Sequence, residues 1–112
     1  MTNWFQDALD TLYKLADLKE NWGGEGELPI ASEAIGNAMR LAYQLDKQQM
    51  PQPTIVPGRD GEVQMEWHIG GNYLEIVCFT DYAYFCQIGE VETHGLTLEP
   101  LALVTNCLEK MQ

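Results

Sequence analysis

In the segment Glu62-Val63-Gln64-Met65-Glu66-Trp67-His68-Ile69, polar and apolar residues alternate without a break, directly after Asp60-Gly61. Side chains point to opposite faces along a strand, so this period of two marks a strand with one buried and one solvated face. Asp-Gly is a strong hairpin signal, which makes the strand part of an antiparallel sheet. Val63, Met65, Trp67 and Ile69 then face a core, and Glu62, Glu66 and His68 face away from it. The rest of the chain has to supply a layer that covers the apolar side.

Helical periodicity supplies candidates for that layer. From about Asn3 to Glu20, Phe5, Leu9, Leu12 and Ala16 recur at helical spacing, with Trp4, Ala8 and Leu15 widening the stripe. Asn3 is placed to cap this helix, with Gln6 completing a capping box. The stretch Asn21-Trp22-Gly23-Gly24-Glu25-Gly26-Glu27-Leu28-Pro29-Ile30 is too glycine-rich for a regular element and reads as a shaped loop, with Asn21 ending the helix and Trp22 folding back onto the core. A second helix, from Ser32 as N-cap to about Gln48, carries Ile35, Ala38, Met39, Ala42 and Leu45 on one face.

Pro51, Pro53 and Pro57 then end helix and favour an extended edge segment. After the alternating strand, Gly70-Gly71-Asn72 makes a turn into Tyr73 to Phe79, and a turn near Thr80-Asp81 leads to Tyr82 to Ile88. Glu90 to Gly95 reads as an acidic loop. Helical period returns from Pro100 to Met111, with Leu101, Val104, Leu108 and Met111 on one stripe and Thr97 or Glu99 near the start. The expected fold class is α+β, a two-layer sandwich of a four-stranded antiparallel sheet with helices on one face, in the order ααββββα. With 112 residues and 46% hydrophobic content it suits a single domain. Residues 1–48 form a helical hairpin, 54–89 the sheet and 97–112 the last helix.

Charge narrows the function. Between Arg59 and Lys110 there is no lysine or arginine but nine carboxylates, and 17 acids against 6 bases give the chain a formal charge of -11. Such a field repels nucleic acid and anionic membrane and attracts basic surfaces. No apolar run nears the roughly 20 residues a membrane span needs, and MTNWFQDALDTL lacks the basic and apolar regions of a leader, so a cytoplasmic location is expected. Cys78, Cys86 and Cys107 are an odd set without CxxC spacing, as for reduced, buried thiols. Cys78 and Cys86 fall on neighbouring strands, which leaves a pairing between them open.

Few residues suggest chemistry. His68 lies on the polar side of its strand near Glu66 or Glu75, and His94 sits among Glu90 and Glu92, so either could meet a carboxylate as a general base does. A chain this acidic places some carboxylate near any histidine, and both read as surface residues. Ser32 is the only serine and is used as a cap. No HxH, HExxH or calcium-loop spacing is present, and no metal or cofactor is expected. The glycine loop resembles a phosphate cradle in outline, but it contains Glu25 and Glu27, follows a helix and has no P-loop lysine. The remaining candidate is a partner-binding face of Glu62, Glu66, His68, Tyr73, Glu75 and Phe79. Tyrosines flanked by charge are typical interface anchors, and the carboxylates could imitate a phosphate track for a basic partner. A homodimer or the Pro-rich segment would also cover this face.

Asn21-Trp22-Gly23-Gly24-Glu25-Gly26, then Pro29-Ile30, then Pro57 through Asp60-Gly61 to Glu66-Trp67, resembles a family of small, poorly characterised bacterial and phage proteins. These typically read N-W-D-G-x-G-A-x-P-I followed by P-x-x-D-G-x-x-x-x-E-W. The resemblance spans roughly residues 9 to 80. Position 23 departs from it, being Gly where Asp is usual. The resemblance implies an antitoxin-like or anti-defence role of the kind found among mobile-element and toxin-linked genes, and carries no catalytic residue over. Composition and resemblance together lead to the expectation of a non-enzymatic module that binds a basic protein partner, with no direct nucleic-acid or membrane binding. The alternative is a small enzyme or ligand-binding domain with a pocket between the Asn21–Pro29 loop and the sheet.

Overall fold

The structure is a computed structural model and describes residues 3–112; Met1 and Thr2, which belong to the segment read for a leader, lie outside the described residues. The chain runs α1 (Phe5–Ala16), α2 (Ser32–Lys47), β1 (Thr54–Pro57), β2 (Val63–Ile69), β3 (Asn72–Cys78), β4 (Tyr82–Ile88), β5 (Val91–Thr97) and α3 (Pro100–Met111). The fold is α+β. Among the described residues, five strands form one antiparallel meander in the order β1-β2-β3-β4-β5. The fifth strand corrects the expected four: Glu90 to Gly95 is largely strand, entered through a turn at Gly89 (φ 61°).

Alternation in β2 holds throughout. Val63, Met65 and Trp67 are buried, and the register carries their face across to Leu74, Ile76 and Cys78 on β3 and to Cys86 on β4. Ala8, Leu12 and Leu15 of α1, Ala34, Ile35, Ala38, Leu41, Ala42 and Leu45 of α2, and Val104, Leu108 and Met111 of α3 enter the same core. The periodic stripes thus meet one sheet face, although Ala16 at the end of the α1 stripe stays exposed.

Helix ends depart from the local cap signals because tertiary partners replace them. The N-cap of α1 is Trp4, with no side-chain cap of its own. Its backbone N–H donates instead to Asp46 Oδ1 (3.1 Å), and its indole N–H to the Met50 carbonyl (2.8 Å). Asp46 thus satisfies from α2 the N–H of the N-cap residue itself, and Gln6, expected to complete a capping box, turns to Asp10. The α1 helix stops at Ala16, short of Asn21, and Ser32 is the first residue of α2 rather than its cap, which is Ala31.

Two segments distant in sequence hold the helical hairpin to the sheet. Leu28 N–H donates to the Arg59 carbonyl and Ala31 N–H to the Gly61 carbonyl, each at 2.9 Å. Gly61 has φ 96°, and a Cβ on it would lie 3.1 Å from the Pro29 carbonyl oxygen, so only glycine fits both the turn and the approach. The Asn21–Ile30 loop and the Asp60-Gly61 turn are one corner of the molecule.

Trp67 is 2% exposed, and its indole N–H donates to the Pro51 carbonyl at 2.8 Å, joining β2 to the connection that enters the sheet. Trp67→Ala is expected to cost about 3–5 kcal/mol, combining lost burial, a cavity and an orphaned carbonyl. Chemical denaturation of the variant against the parent chain measures it.

Candidate functional site

Of the six residues expected to form a partner surface, four share the sheet face that points away from the core. Register places Glu66 directly opposite Glu75, and His68 opposite Tyr73. The Tyr73 hydroxyl donates to Glu75 Oε1 at 2.6 Å. The His68 and Tyr73 rings lie 4.6 Å apart, and Tyr73 and Phe85 6.0 Å apart. Burial first, then the Glu75 hydrogen bond and the charges of Glu75 and Glu66, push the Tyr73 hydroxyl far above its ordinary pKa, so it stays a donor.

The other two leave this face. Glu62 precedes β2 and folds into the β1–β2 turn, where its Oε1 accepts the Asp60 N–H at 3.0 Å. Phe79 follows β3; its carbonyl accepts Asn37 Nδ2–H at 2.6 Å, and its ring lies beside Gly61. In both cases strand alternation had been extended one residue too far. Two residues not anticipated there take their place. Phe85 lies opposite Glu75, and His94 on β5 lies opposite Phe85. One cross-strand row thus reads Thr54, Glu66, Glu75, Phe85, His94, with Glu92 next along β5 on the same side. His94 belongs to a strand, not a loop, and the alternation of β4 would have found Phe85.

The glycine loop is filled by its own acid. Glu27 is 7% exposed, and its Oε1 accepts the N–H groups of Gly23 (3.0 Å) and Glu25 (3.1 Å). Asn21, at φ 65°, donates its N–H to the Glu27 carbonyl (2.7 Å), and its Oδ1 accepts the Gly26 N–H (2.8 Å). Arg59 closes the rim by donating to the Glu25 carbonyl at 2.9 Å. The backbone N–H of Glu27 itself, then that of Glu25, and less strongly Gly23 and the charge of Arg59, hold the Glu27 carboxyl below the ordinary glutamate range against the opposing effect of burial. Convergent N–H groups of this kind form an anion nest, and here the anion is a side chain of the same loop. Trp22 does not reach the core as expected: half-buried, it donates its indole N–H to the Leu28 carbonyl at 3.0 Å and braces the loop.

Cavities lie elsewhere. One of about 280 Å³ is lined by Cys86, Ile88, Val91, Thr93, Cys107 and Lys110, and another of about 200 Å³ by Asn3, Trp4, Asp7 and Gln52. Cys78 faces Tyr82 in the register and Cys86 faces Leu74, so the pairing left open between Cys78 and Cys86 is not set up; Cys86 shares its cavity with Cys107 instead. Burial pushes the Cys78 thiol up to about 12, and burial with the adjacent Cys86 pushes Cys107 up to about 11, which keeps both as thiols. Among the described residues, no three His, Cys, Asp or Glu side chains come together as a metal site. Among the described residues, no helix is long and apolar enough to cross a membrane.

A depressed carboxyl adds stability that is present above its unfolded pKa and is lost as pH falls through its folded pKa. Acidification into that lower range is expected to loosen the loop, read as weaker protection of the Gly23 and Glu25 amides relative to their intrinsic exchange rates. Glu27→Gln should remove that pH dependence. The Glu27 carboxylate also occupies the space a side chain on Gly23 would enter. Gly23→Asp alone should therefore lower Tm, and adding Glu27→Ala should restore it by letting the new acid fill the nest.

No family model matches this chain, and no curated protein or solved structure matches it.

Proposed function

We propose that the protein is an acidic, non-enzymatic binding module that engages a basic protein surface through the open face of its sheet. The observation that carries this reading is the Glu66–Glu75 pair. Like charges directly opposite on neighbouring strands cost stability, and this pair stands in a row with an aromatic flank and no lysine or arginine on its own strands. A cation from a partner would relieve that repulsion. Tyr73 and Phe85 would supply the apolar contact that slows release. The resemblance of the loop and hairpin motifs to phage and mobile-element proteins favours an inhibitor of the antitoxin or anti-defence kind. Carboxylates in a row also suit imitation of a phosphate track.

The alternative, an enzyme or ligand-binding domain at the Asn21–Pro29 loop, is disfavoured by Glu27, which occupies the donors a ligand would need.

Reversing one member of the pair separates stability from binding. Glu66→Lys should stabilise the free chain by about 0.5 kcal/mol, because a repulsive cross-strand pair becomes attractive. The same change should slow association with the partner captured from the source cell, and Glu66→Lys/Glu75→Lys should slow it further. For the parent chain, association should slow as the Debye length shrinks from about 30 Å at 0.01 M salt to about 8 Å at physiological ionic strength. Unfolding curves and stopped-flow or biosensor kinetics read the two effects. Association rates indifferent to salt and to both reversals would overturn the proposal.

A further inference from the structure

The sheet ends on two unlike edges. β1 has four residues, ends in Pro57 and packs against α1. β5 has seven, none of them Pro, Lys or Arg. Val91 to His94 are all exposed, Leu96 is 71% exposed, and Leu98 just beyond is 94% exposed. An edge strand presents a row of unpaired N–H and C=O groups, and proteins usually blunt it with proline, lysine, a bulge or a covering element. β1 carries such protection; β5 has neither proline nor lysine, and its one carboxylate is Glu92. Helix α3 packs on β3 and β4, and the 280 Å³ cavity opens between it and β5.

We infer that β5 is a strand-addition site whose occupant is an extended, basic segment of a partner protein. This deepens the reading above and rests on it. Charge selects the occupant: Glu90 and Glu92 lie at the start of the strand and Glu99 beyond its end, while a second copy of this chain would itself bring a charge of -11. Alternation selects its pattern. Glu92, His94 and Leu96 share the open face with Glu66 and Glu75, whereas Val91 and Thr93 line the cavity on the helix side. An added strand would lay basic side chains along the first and apolar ones along the second, with main-chain hydrogen bonds giving affinity and the side-chain pattern giving specificity.

The test uses a labelled seven-residue peptide of alternating lysine and valine with blocked ends, and a control in which proline replaces each valine. The control keeps the charge and cannot pair as a strand. Fluorescence anisotropy should show the valine peptide binding about tenfold or more tightly than the control, and hydrogen exchange should show protection of β5 amides and not of β1. Equal binding of the two peptides would overturn the edge site while leaving the acidic face intact, as would protection confined to other strands. Failure of both peptides to bind also overturns it, and so does a concentration-dependent dimer of the protein alone that protects β5. If the valine peptide protects β5 while partner capture ignores the Glu66 and Glu75 reversals, the edge stands and the face reading fails.

Discussion

The approach of the Pro29 carbonyl to Gly61 is the constraint on which the arrangement of the two halves depends. It lets Leu28 and Ala31 bond to Arg59 and Gly61, and those bonds are backbone to backbone. Helices pack on sheets through apolar side chains whose contacts allow some sliding, whereas paired amides and carbonyls fix position along and across the contact. The α2 helix begins at Ser32, one residue beyond this clasp, so its Ala34, Ile35 and Ala38 are set over the sheet from the first turn. The Glu27 nest keeps the approaching loop in shape, and Arg59 links loop and turn on the same corner. Two short motifs far apart in sequence are therefore one structural unit.

This unit separates the scaffold from the surface proposed to meet a partner. The glycine loop spends its donors on its own acid, and the core face of the sheet is covered by helices. What is left is the opposite face and the β5 edge, which adjoin each other through His94 and Glu92. Their chemistry is continuous: carboxylates, one half-buried hydroxyl held as a donor, and aromatic rings within stacking distance.

Most of the buried architecture was legible from periodicity because burial is what creates periodicity. Trp67, Met65 and Val63 alternate since one side of β2 meets a core, and the stripes of α1, α2 and α3 record the same surface. β5 was missed for the same reason. Its two large apolar residues, Val91 and Leu96, fall on opposite faces and both are exposed, so no period of two survives in the sequence. The helix starts at Asn3 and Ser32 are displaced because a local cap signal does not reveal that the N-cap residues, Trp4 and Ala31, are held by Asp46 and by the Gly61 carbonyl. Trp22 looked like a core residue by size, yet in a loop this rich in polar backbone its indole N–H has more to gain from the Leu28 carbonyl. On the open face, Glu66, His68, Tyr73 and Glu75 followed from parity alone; Glu62 and Phe79 did not, since parity carries no information past a strand's last residue.

The meander has a consequence for how the chain acquires its structure. Every strand pairs with its sequence neighbour, so the sheet can zip one hairpin at a time without closing a long loop. The two N-terminal helices also meet locally, as in the edge-to-face contact of Phe5 and Tyr43 at 5.3 Å. During synthesis, however, they emerge ahead of the sheet that covers them, and their apolar stripes stay uncovered until β2 and β3 have formed. The Leu28–Arg59 and Ala31–Gly61 bonds join these two locally paired halves, backbone to backbone, and form only when the halves meet.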